Sequence, residues 1–127
     1  MIREFTISNA KIRRTQLGIE DHGIMTCYLN LDLENGSCQG AGGYALDEPV
    51  HVDEKFVGRY GTAAGMQFIM RLLETVDAES WETLPGKHIK VKHNFNEVRA
   101  IAHILKDNWF DFKEFFAAHK DQEQAVK

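Results

Sequence analysis

The chain has 127 residues, of which 43% are hydrophobic and 27% are charged, and its formal net charge is −4. This length suits a single domain, which would bury roughly two-thirds of the surface of its unfolded chain. The acidic balance argues against a general binder of long nucleic acid, because such a protein usually carries a basic face. The net charge does not exclude binding of a small anionic ligand, since a pocket can be positive on an acidic protein.

The sequence carries no sign of a membrane or export segment. No apolar run approaches the roughly 20 residues needed to span a bilayer, and residues 1–6 lack the apolar core of a signal peptide. We therefore expect no membrane partner and a cytoplasmic location.

The two cysteines, Cys27 and Cys38, belong to no Cys-x-x-Cys pair, which argues against a zinc ribbon. A two-residue hairpin between them would pair Cys38 with Leu33 and Cys27 with Tyr44, so the two thiols would not face each other. We expect both to be free, small apolar residues of the core.

Three strands are predicted in the first part of the chain. Residues 2–20 suit a long or bent strand, and residues 25–33 alternate between apolar and polar side chains as a half-buried antiparallel strand does. The Asn35–Gly36 pair predicts a type I′ turn into a third strand at 38–46. Glycines at 40, 42 and 43 indicate that a strand, a helix or a ligand approaches this backbone closely, and we favour packing.

A helix is predicted over residues 62–76, after a polar connection at 47–59. Its apolar positions cover more than the stripe of about 100° that a surface helix needs. This pattern predicts burial on two sides, against the helix's own sheet and against another subunit. The alternative is a deeply central helix in a monomer, for which a chain of this size has few layers.

The second half predicts a helical turn around Trp81, strands at 87–92 and 98–105, and a helix at 111–119. Both faces of the strand at 98–105 are largely apolar, which places it centrally or at a subunit contact. The predicted fold class is α+β: an antiparallel sheet of about five strands, one long central helix and a short C-terminal helix. The expected organisation is one domain, 1–119, and a frayed polar tail, 120–127.

No catalytic or metal-binding pattern stands out. The six histidines lack His-x-x-x-His spacing, and none pairs with a cysteine at zinc spacing. Ser37 does not occupy the serine position of the Gly-x-Ser-x-Gly motif of a nucleophile elbow. Gly40-Ala41-Gly42 is not part of the βαβ unit that a dinucleotide site requires. We therefore predict no catalytic residue, no metal and no cofactor.

Residues suited to an anionic ligand with a ring are better represented. Arg59, Tyr60, Gly61 and Thr62 lie where the predicted helix starts, and the free N–H groups of a first turn attract anions. Arginine offers forked donors to phosphate, and tyrosine offers a flat ring. The predicted ligand-binding residues are Tyr44, Arg59, Tyr60, Gly61, Thr62, Arg99 and His103. The alternative is structural: a solvated arginine, tyrosines at the edge of the core, and a hydrogen-bonded histidine.

Five segments give the chain a resemblance to a known family. They are EDHGI at 20–24, GGYALD at 42–47, GMQFI at 65–69, SWETLPGK at 80–87 and AHILKDNWF at 102–110. In this order they resemble a family of small bacteriophage proteins, the group that contains the first-described Thoeris anti-defence protein. The matches extend over about residues 17–112.

The resemblance implies a sponge rather than an enzyme. Members bind and sequester immune nucleotide signals, notably a cyclic ADP-ribose isomer and in some cases cyclic oligonucleotides, without degrading them. It also implies a homo-oligomer, a dimer or a hexamer built from dimers, with ligand pockets at subunit contacts. Two other hypotheses stay open: a phage inhibitor that contacts a host or defence protein through the acidic segment 47–54, and a small hydrolase that degrades the signal.

Overall fold

The computed structural model describes residues 4–126, without the side chains of Asp21 and of residues 120–126. This part of the chain forms eight strands and two helices. The strands are β1 (Thr6–Ile19), β2 (Met25–Leu33), β3 (Cys38–Ala45), β4 (Asp47–Val52), β5 (Lys55–Gly61), β6 (His88–His93), β7 (Val98–His103) and β8 (Phe110–Asp111). The helices are α1 (Ala63–Val76) and α2 (Phe112–Val126). Short 3₁₀ turns lie at Asp21–Gly23 and Trp81–Thr83.

The strands form one antiparallel sheet and one separate ribbon. The sheet has six strands in the order β3-β2-β1-β6-β7-β8, and β4 pairs only with β5. The predicted α+β class with an antiparallel sheet is confirmed. There are more strands than the five or so expected, because the segment after Ala45 forms a hairpin and Phe110–Asp111 adds an edge strand.

The core lies between the sheet and the helices. Alternate residues of β2 are buried, as are Ile89 and Val91 of β6, and this confirms the predicted faces of both strands. Phe68 of α1 packs at ring-centroid distances of 5.1 Å from Phe110 and 5.4 Å from Phe112. Each fully buried side chain of this size contributes about 1.5–3 kcal/mol, so these aromatic contacts fix both helices to the sheet.

Helix α1 begins where the sequence predicts. Thr62 is its N-cap, and a Cβ added at Gly65 would overlap the carbonyl group of Leu46. Only glycine therefore lets the first turn pack so closely on the preceding segment. Within the single chain the helix is buried on one side, while Met66 and Met70 are exposed on the other. The second covering surface, a neighbouring subunit, stays a prediction.

The glycines of β3 serve packing, as favoured from the sequence. The ring of Tyr28, on the neighbouring strand β2, occupies the space that a side chain at Gly40 would need. Gly42 has a φ of +116°, and a Cβ there would meet the carbonyl of Cys27. The exposed ring of Tyr28 thus packs on the glycine backbone of β3.

Two predictions about the connections between strands are wrong. The connection predicted at 47–59 is largely the β4–β5 hairpin, whose turn residues Asp53 and Glu54 have φ of +52° and +67°. Those values suit a type I′ turn. The Asn35–Gly36 turn is not of this type, because only Gly36 has a positive φ. The Gly36 N–H donates to the Leu33 carbonyl at 3.0 Å, and three residues rather than two form the turn.

The register of this turn decides the environment of the cysteines. Cys38 pairs with Asp32 rather than Leu33 and is exposed, so its expected place in the core is wrong. Cys27 is buried as expected, and burial raises the pKa of its thiol to about 12. Both cysteines are free, as predicted.

At the C-terminal end, α2 begins at Phe112 and extends to Val126. The last residue of the expected frayed tail, Lys127, lies outside the described residues, and the fraying stays a prediction. Strand β7 ends at His103, earlier than expected. Of the helices described, none is both long and apolar enough to cross a bilayer.

Candidate functional site

Arg59, the first predicted cation, already holds a carboxylate. Its Nε and Nη2 donate to the two oxygens of Asp47 at 3.0 and 2.9 Å. Asp47 also accepts from the backbone N–H of Met25 at 3.1 Å, and its side chain is only 5% exposed. The hydrogen bonds from Arg59 hold the pKa of Asp47 below its usual value. A phosphate at Arg59 would therefore compete with a carboxylate of the protein itself.

One N–H group in the first turn of α1 is likewise paired within the chain. Thr62 Oγ1 accepts from the Gly65 N–H at 2.9 Å, and the Thr62 N–H donates to the Leu46 carbonyl at 3.1 Å. Gly61 and Tyr60, the last residues of β5, are exposed beside this cap. The structure thus brings Arg59, Tyr60, Gly61 and Thr62 together, as predicted from their adjacency.

A groove of about 210 Å³ runs along this helix start. It is lined by Ala45, Asp47, Glu48, Thr62, Ala64, Phe116 and His119. Its two carboxylates oppose an anion, while the first turn of the helix and Arg59 attract one. Because of these carboxylates, the groove of a single chain is not a simple phosphate-binding site.

Arg99 differs from Arg59 in how it is held. It is the extra residue of a β-bulge, because His93 pairs with Val98 and Lys92 with Ala100, and bulges re-aim side chains. Its Nε lies 3.0 Å from both oxygens of Asp111, and this hydrogen bonding raises the pKa of the guanidinium. Within residues 4–119 nothing described accepts from its two terminal nitrogens.

Tyr44 lies within electrostatic range of Arg99. Burial raises the pKa of the Tyr44 phenol, Glu97 raises it further, and the charge of Arg99 lowers it. Its ring stacks on Phe116 with centroids 5.0 Å apart. The structure therefore joins Tyr44 and Arg99 in a second group, in which the tyrosine ring is already partly covered.

His103 takes part in a turn at the end of β7. Its backbone N–H donates to Asn108 Oδ1 at 3.0 Å, and its Nδ1 accepts from the Leu105 N–H at 3.0 Å. No hydrogen bond among the described residues joins it to either arginine group. The structural alternative considered for this histidine describes its contacts well.

Sequence reasoning missed a larger cavity, of about 540 Å³, at the end of the sheet where the β2–β3 and β6–β7 turns meet. It is lined by Thr6, Asn35, Ser37, Cys38, Gln39, His93, Asn94 and Phe95. A sequence signal did exist: Phe95 stands between two asparagines in a turn, where it is 99% exposed. A fully exposed phenyl ring beside a cavity is informative in a way that an ordinary surface leucine is not.

His93 forms part of the wall of this cavity. Its Nε2 lies 2.8 Å from Ser8 Oγ, and burial lowers the pKa of the imidazole. A serine beside a histidine can be a nucleophile with its base. Here no described carboxylate bonds to the imidazole, and Ser8 is only 9% exposed. The contact satisfies two buried polar groups, and burial favours the neutral imidazole.

Among the described residues, no three histidine, cysteine, aspartate or glutamate side chains come together to hold a metal ion.

Comparison with models of known protein families finds no match, and none of the curated proteins searched matches the chain. Membership of the phage sponge family therefore stays a prediction.

Proposed function

We propose that this protein binds a cyclic nucleotide signal and sequesters it without degrading it, in the cytoplasm of an infected bacterial cell. The signal class we favour is a cyclic ADP-ribose isomer, with cyclic oligonucleotides as further ligands. The observation that carries the proposal is Arg99, which is anchored to Asp111 through Nε alone and is 28% exposed. Its terminal nitrogens have no hydrogen-bond acceptor among the described residues, and the guanidinium carbon lies 5.8 Å from the centroid of the Phe5 ring.

Such an arginine suits phosphate recognition. The terminal N–H groups of a guanidinium match two phosphate oxygens, and charge-assisted hydrogen bonds are the stronger kind. Because Asp111 and the bulge already fix the side chain, less conformational freedom is lost when a ligand binds.

One guanidinium is too little for a sponge. Sub-micromolar affinity requires more than about 8 kcal/mol, which calls for a ligand enclosed on several sides. We therefore propose a homo-oligomer, a dimer or a hexamer, in which a second copy closes the site. In its support, Phe56 and Tyr60 of the β4–β5 ribbon and Met66 and Met70 of α1 are exposed. Monomeric proteins seldom expose so many large apolar side chains in neighbouring elements.

The proposal is tested by uptake and release. The protein is incubated with the cyclic ADP-ribose isomer, freed of unbound ligand and denatured by heat, and the released material is analysed. Recovery of intact ligand supports sequestration. A hydrolysed product supports the hydrolase hypothesis instead, and no uptake of this ligand or of cyclic oligonucleotides contradicts the proposal.

Arginine variants locate the contact. Arg99→Gln should weaken binding of the cyclic nucleotide more than about tenfold, because it removes one or two charge-assisted hydrogen bonds. Arg59→Gln should weaken it less, because the fork of Arg59 is occupied by Asp47. The matched control is Arg14→Gln, an exposed arginine of β1 outside both groups. Unchanged affinity in both test variants would remove both arginines from the site.

The exposed ribbon also favours the second candidate function, an inhibitor that acts by contact with a host or defence protein. Val52, Phe56 and Val57 are exposed on a hairpin that, within residues 4–126, pairs with no other strand. Phe56→Ser separates the candidates. A sponge assembled through the ribbon would lose its oligomeric state on size-exclusion chromatography, whereas a contact inhibitor would keep its size and lose capture of its partner.

A further inference from the structure

We infer that the 540 Å³ cavity at the turn end of the sheet binds an uncharged nucleobase, stacked on Phe95 and held at its edge by side-chain amides. The cavity contains none of Tyr44, Arg59 or Arg99. The inference therefore goes beyond the proposed function and does not depend on it.

The size of the cavity suits such a ligand, because small-molecule sites usually have volumes of about 300–1,000 Å³. Its lining is neutral. Burial lowers the pKa of His93 and so favours the uncharged imidazole, and Cys38 Sγ donates to Asp32 Oδ1 at 3.3 Å. The carboxylate of Asp32 beside the thiol disfavours an anion. The polar part of the ligand is thus expected to be neutral.

The orientations of two asparagine amides are fixed by hydrogen bonds within their own turns. Asn35 Oδ1 accepts from the Ser37 N–H at 2.9 Å. Asn94 Oδ1 accepts from the N–H groups of Asn96 and Glu97 at 2.8 and 3.0 Å. Each oxygen is committed to the backbone, so each NH₂ group is the end left to donate to a ligand.

Gln39 supplies the complementary acceptor. Its Nε2 donates to the Asn94 carbonyl at 2.9 Å, which orients the amide and leaves Oε1 without a donor among the described residues. Two NH₂ donors and one carbonyl acceptor therefore line one cavity in fixed orientations. Nucleobases carry this mixture of donors and acceptors on their edges, and asparagine and glutamine amides are the side chains that match it.

Phe95 supplies the stacking surface. Its 99% exposure costs free energy unless something covers the ring, and a base has a flat π-face that stacks on an aromatic side chain. Aliphatic ligands lack this face. Together with the amide edge, the exposed ring selects a planar heterocycle over a sugar.

Cys38 gives a direct readout of occupancy, because it lines the cavity and is exposed. Cys27 is buried with a pKa of about 12, so a thiol reagent should report on Cys38 alone. The probes are adenosine, guanosine, cytidine and uridine, with ribose and inorganic phosphate as controls. At saturation, at least one nucleoside should slow alkylation about fivefold or more, and neither control should. Equal protection by ribose, or no protection by any nucleoside, would overturn the inference.

Two conservative variants test the amide edge. Asn35→Asp and Asn94→Asp keep the oxygen that the turn needs, but they replace the NH₂ donor with an oxygen and add a negative charge. Each should weaken nucleoside binding about five- to tenfold, the effect of one lost hydrogen bond. For Asn94→Asp the matched control is Asn96→Asp, because it puts the same charge in the same turn outside the cavity lining. An equal loss in the control would attribute the effect to charge and contradict the edge contact.

Phe95→Ala tests the stack and should weaken nucleoside binding about tenfold. Its control is Leu105→Ala, at a position that is 83% exposed and distant from the cavity lining. Unchanged binding in Phe95→Ala would overturn the role of the ring. Arg99→Gln should leave protection of Cys38 by nucleosides unchanged, so failure of this inference and failure of the sponge proposal give different results.

Discussion

Two aspartate–arginine pairs in this molecule have different consequences. At the junction between the β4–β5 ribbon and α1 (Leu46, Asp47, Arg59, Thr62 and Gly65), Arg59 binds both oxygens of an almost fully buried carboxylate. At the edge formed by Arg99 and Asp111, only Nε is used, and Asp111 is 20% exposed. The same residue types therefore hold the fold together at the junction and leave donors available at the edge.

The difference teaches how a sequence pattern can mislead. Arg59, Tyr60 and Thr62 have the composition of a phosphate site, yet the side chains of Arg59 and Thr62 already bond to other groups of the chain. Arg99 belongs to the same predicted set but comes from a largely apolar strand. Which arginine has free donors depends on the distance to a carboxylate about a dozen residues away, and only the hairpin or the edge strand sets that distance.

The largest expected loss of stability is at Gly65, because the junction depends on close packing of this residue against Leu46. Gly65→Ala should lower the free energy of unfolding by about 3 kcal/mol, because its Cβ would overlap the Leu46 carbonyl and the backbone must shift. Urea unfolding followed by circular dichroism measures this. Gly61→Ala is the control, since nothing lies within 4 Å of its Cβ position. Equal loss in both variants would show that the junction is not tightly packed.

Removing each carboxylate compares the two pairs directly. Asp47→Ala leaves the Met25 N–H and the fork of Arg59 without their acceptor, and should cost about 2 kcal/mol in the same unfolding assay. Asp111→Ala should cost about 1 kcal/mol, because water can reach the ion pair and the loss is mainly that of the acceptor for the Glu114 N–H at the start of α2. A larger loss at Asp111 would reverse the assignment of structural and available arginines.

Parts of the fold could be predicted because their signals are local. The alternation at 25–33 and the cap at Thr62 each depend on residues within one element, and both strand and helix are found there. The ribbon was missed because Pro49 suggests a loop and its type I′ turn uses Asp53 and Glu54 at positive φ rather than glycine.

The candidate sites were harder to predict, because their groups come from distant parts of the chain. Thr6, Gln39 and His93 line one cavity only after β1 has paired with both β2 and β6. No spacing in the sequence records that arrangement. The exposed Phe95 between two asparagines was the only local indication, and its meaning depends on the cavity beside it.

The cap of α1 gives a smaller effect that tests the junction at a single hydrogen bond. Thr62→Ala removes the acceptor of the Gly65 N–H and should lower the free energy of unfolding by about 1 kcal/mol. Thr62→Ser keeps the hydroxyl and should recover most of this loss. If the serine variant is as unstable as the alanine variant, the methyl group rather than the cap stabilises the junction.

The smallest expected effect is the pH dependence, which separates the junction from the wall of the cavity. The pKa of Asp47 is lowered from 3.8, so this carboxylate stays ionised in both folded and unfolded chains between pH 7.5 and 5.5 and contributes no slope there. Burial lowers the pKa of His93 from 6.5, so the unfolded chain binds a proton that the folded chain resists. The stability associated with neutral His93 is fully present above pH 6.5 and declines as the pH falls below it.

The free energy of unfolding should therefore decrease from pH 7.5 to 5.5 in the wild type, and less steeply in His93→Gln, which has no proton to take up. His88→Gln, at the exposed end of the same strand, provides the matched control and should keep the wild-type slope. A slope that survives in His93→Gln but disappears in Asp47→Asn would move the pH-sensitive contact from the cavity wall to the junction.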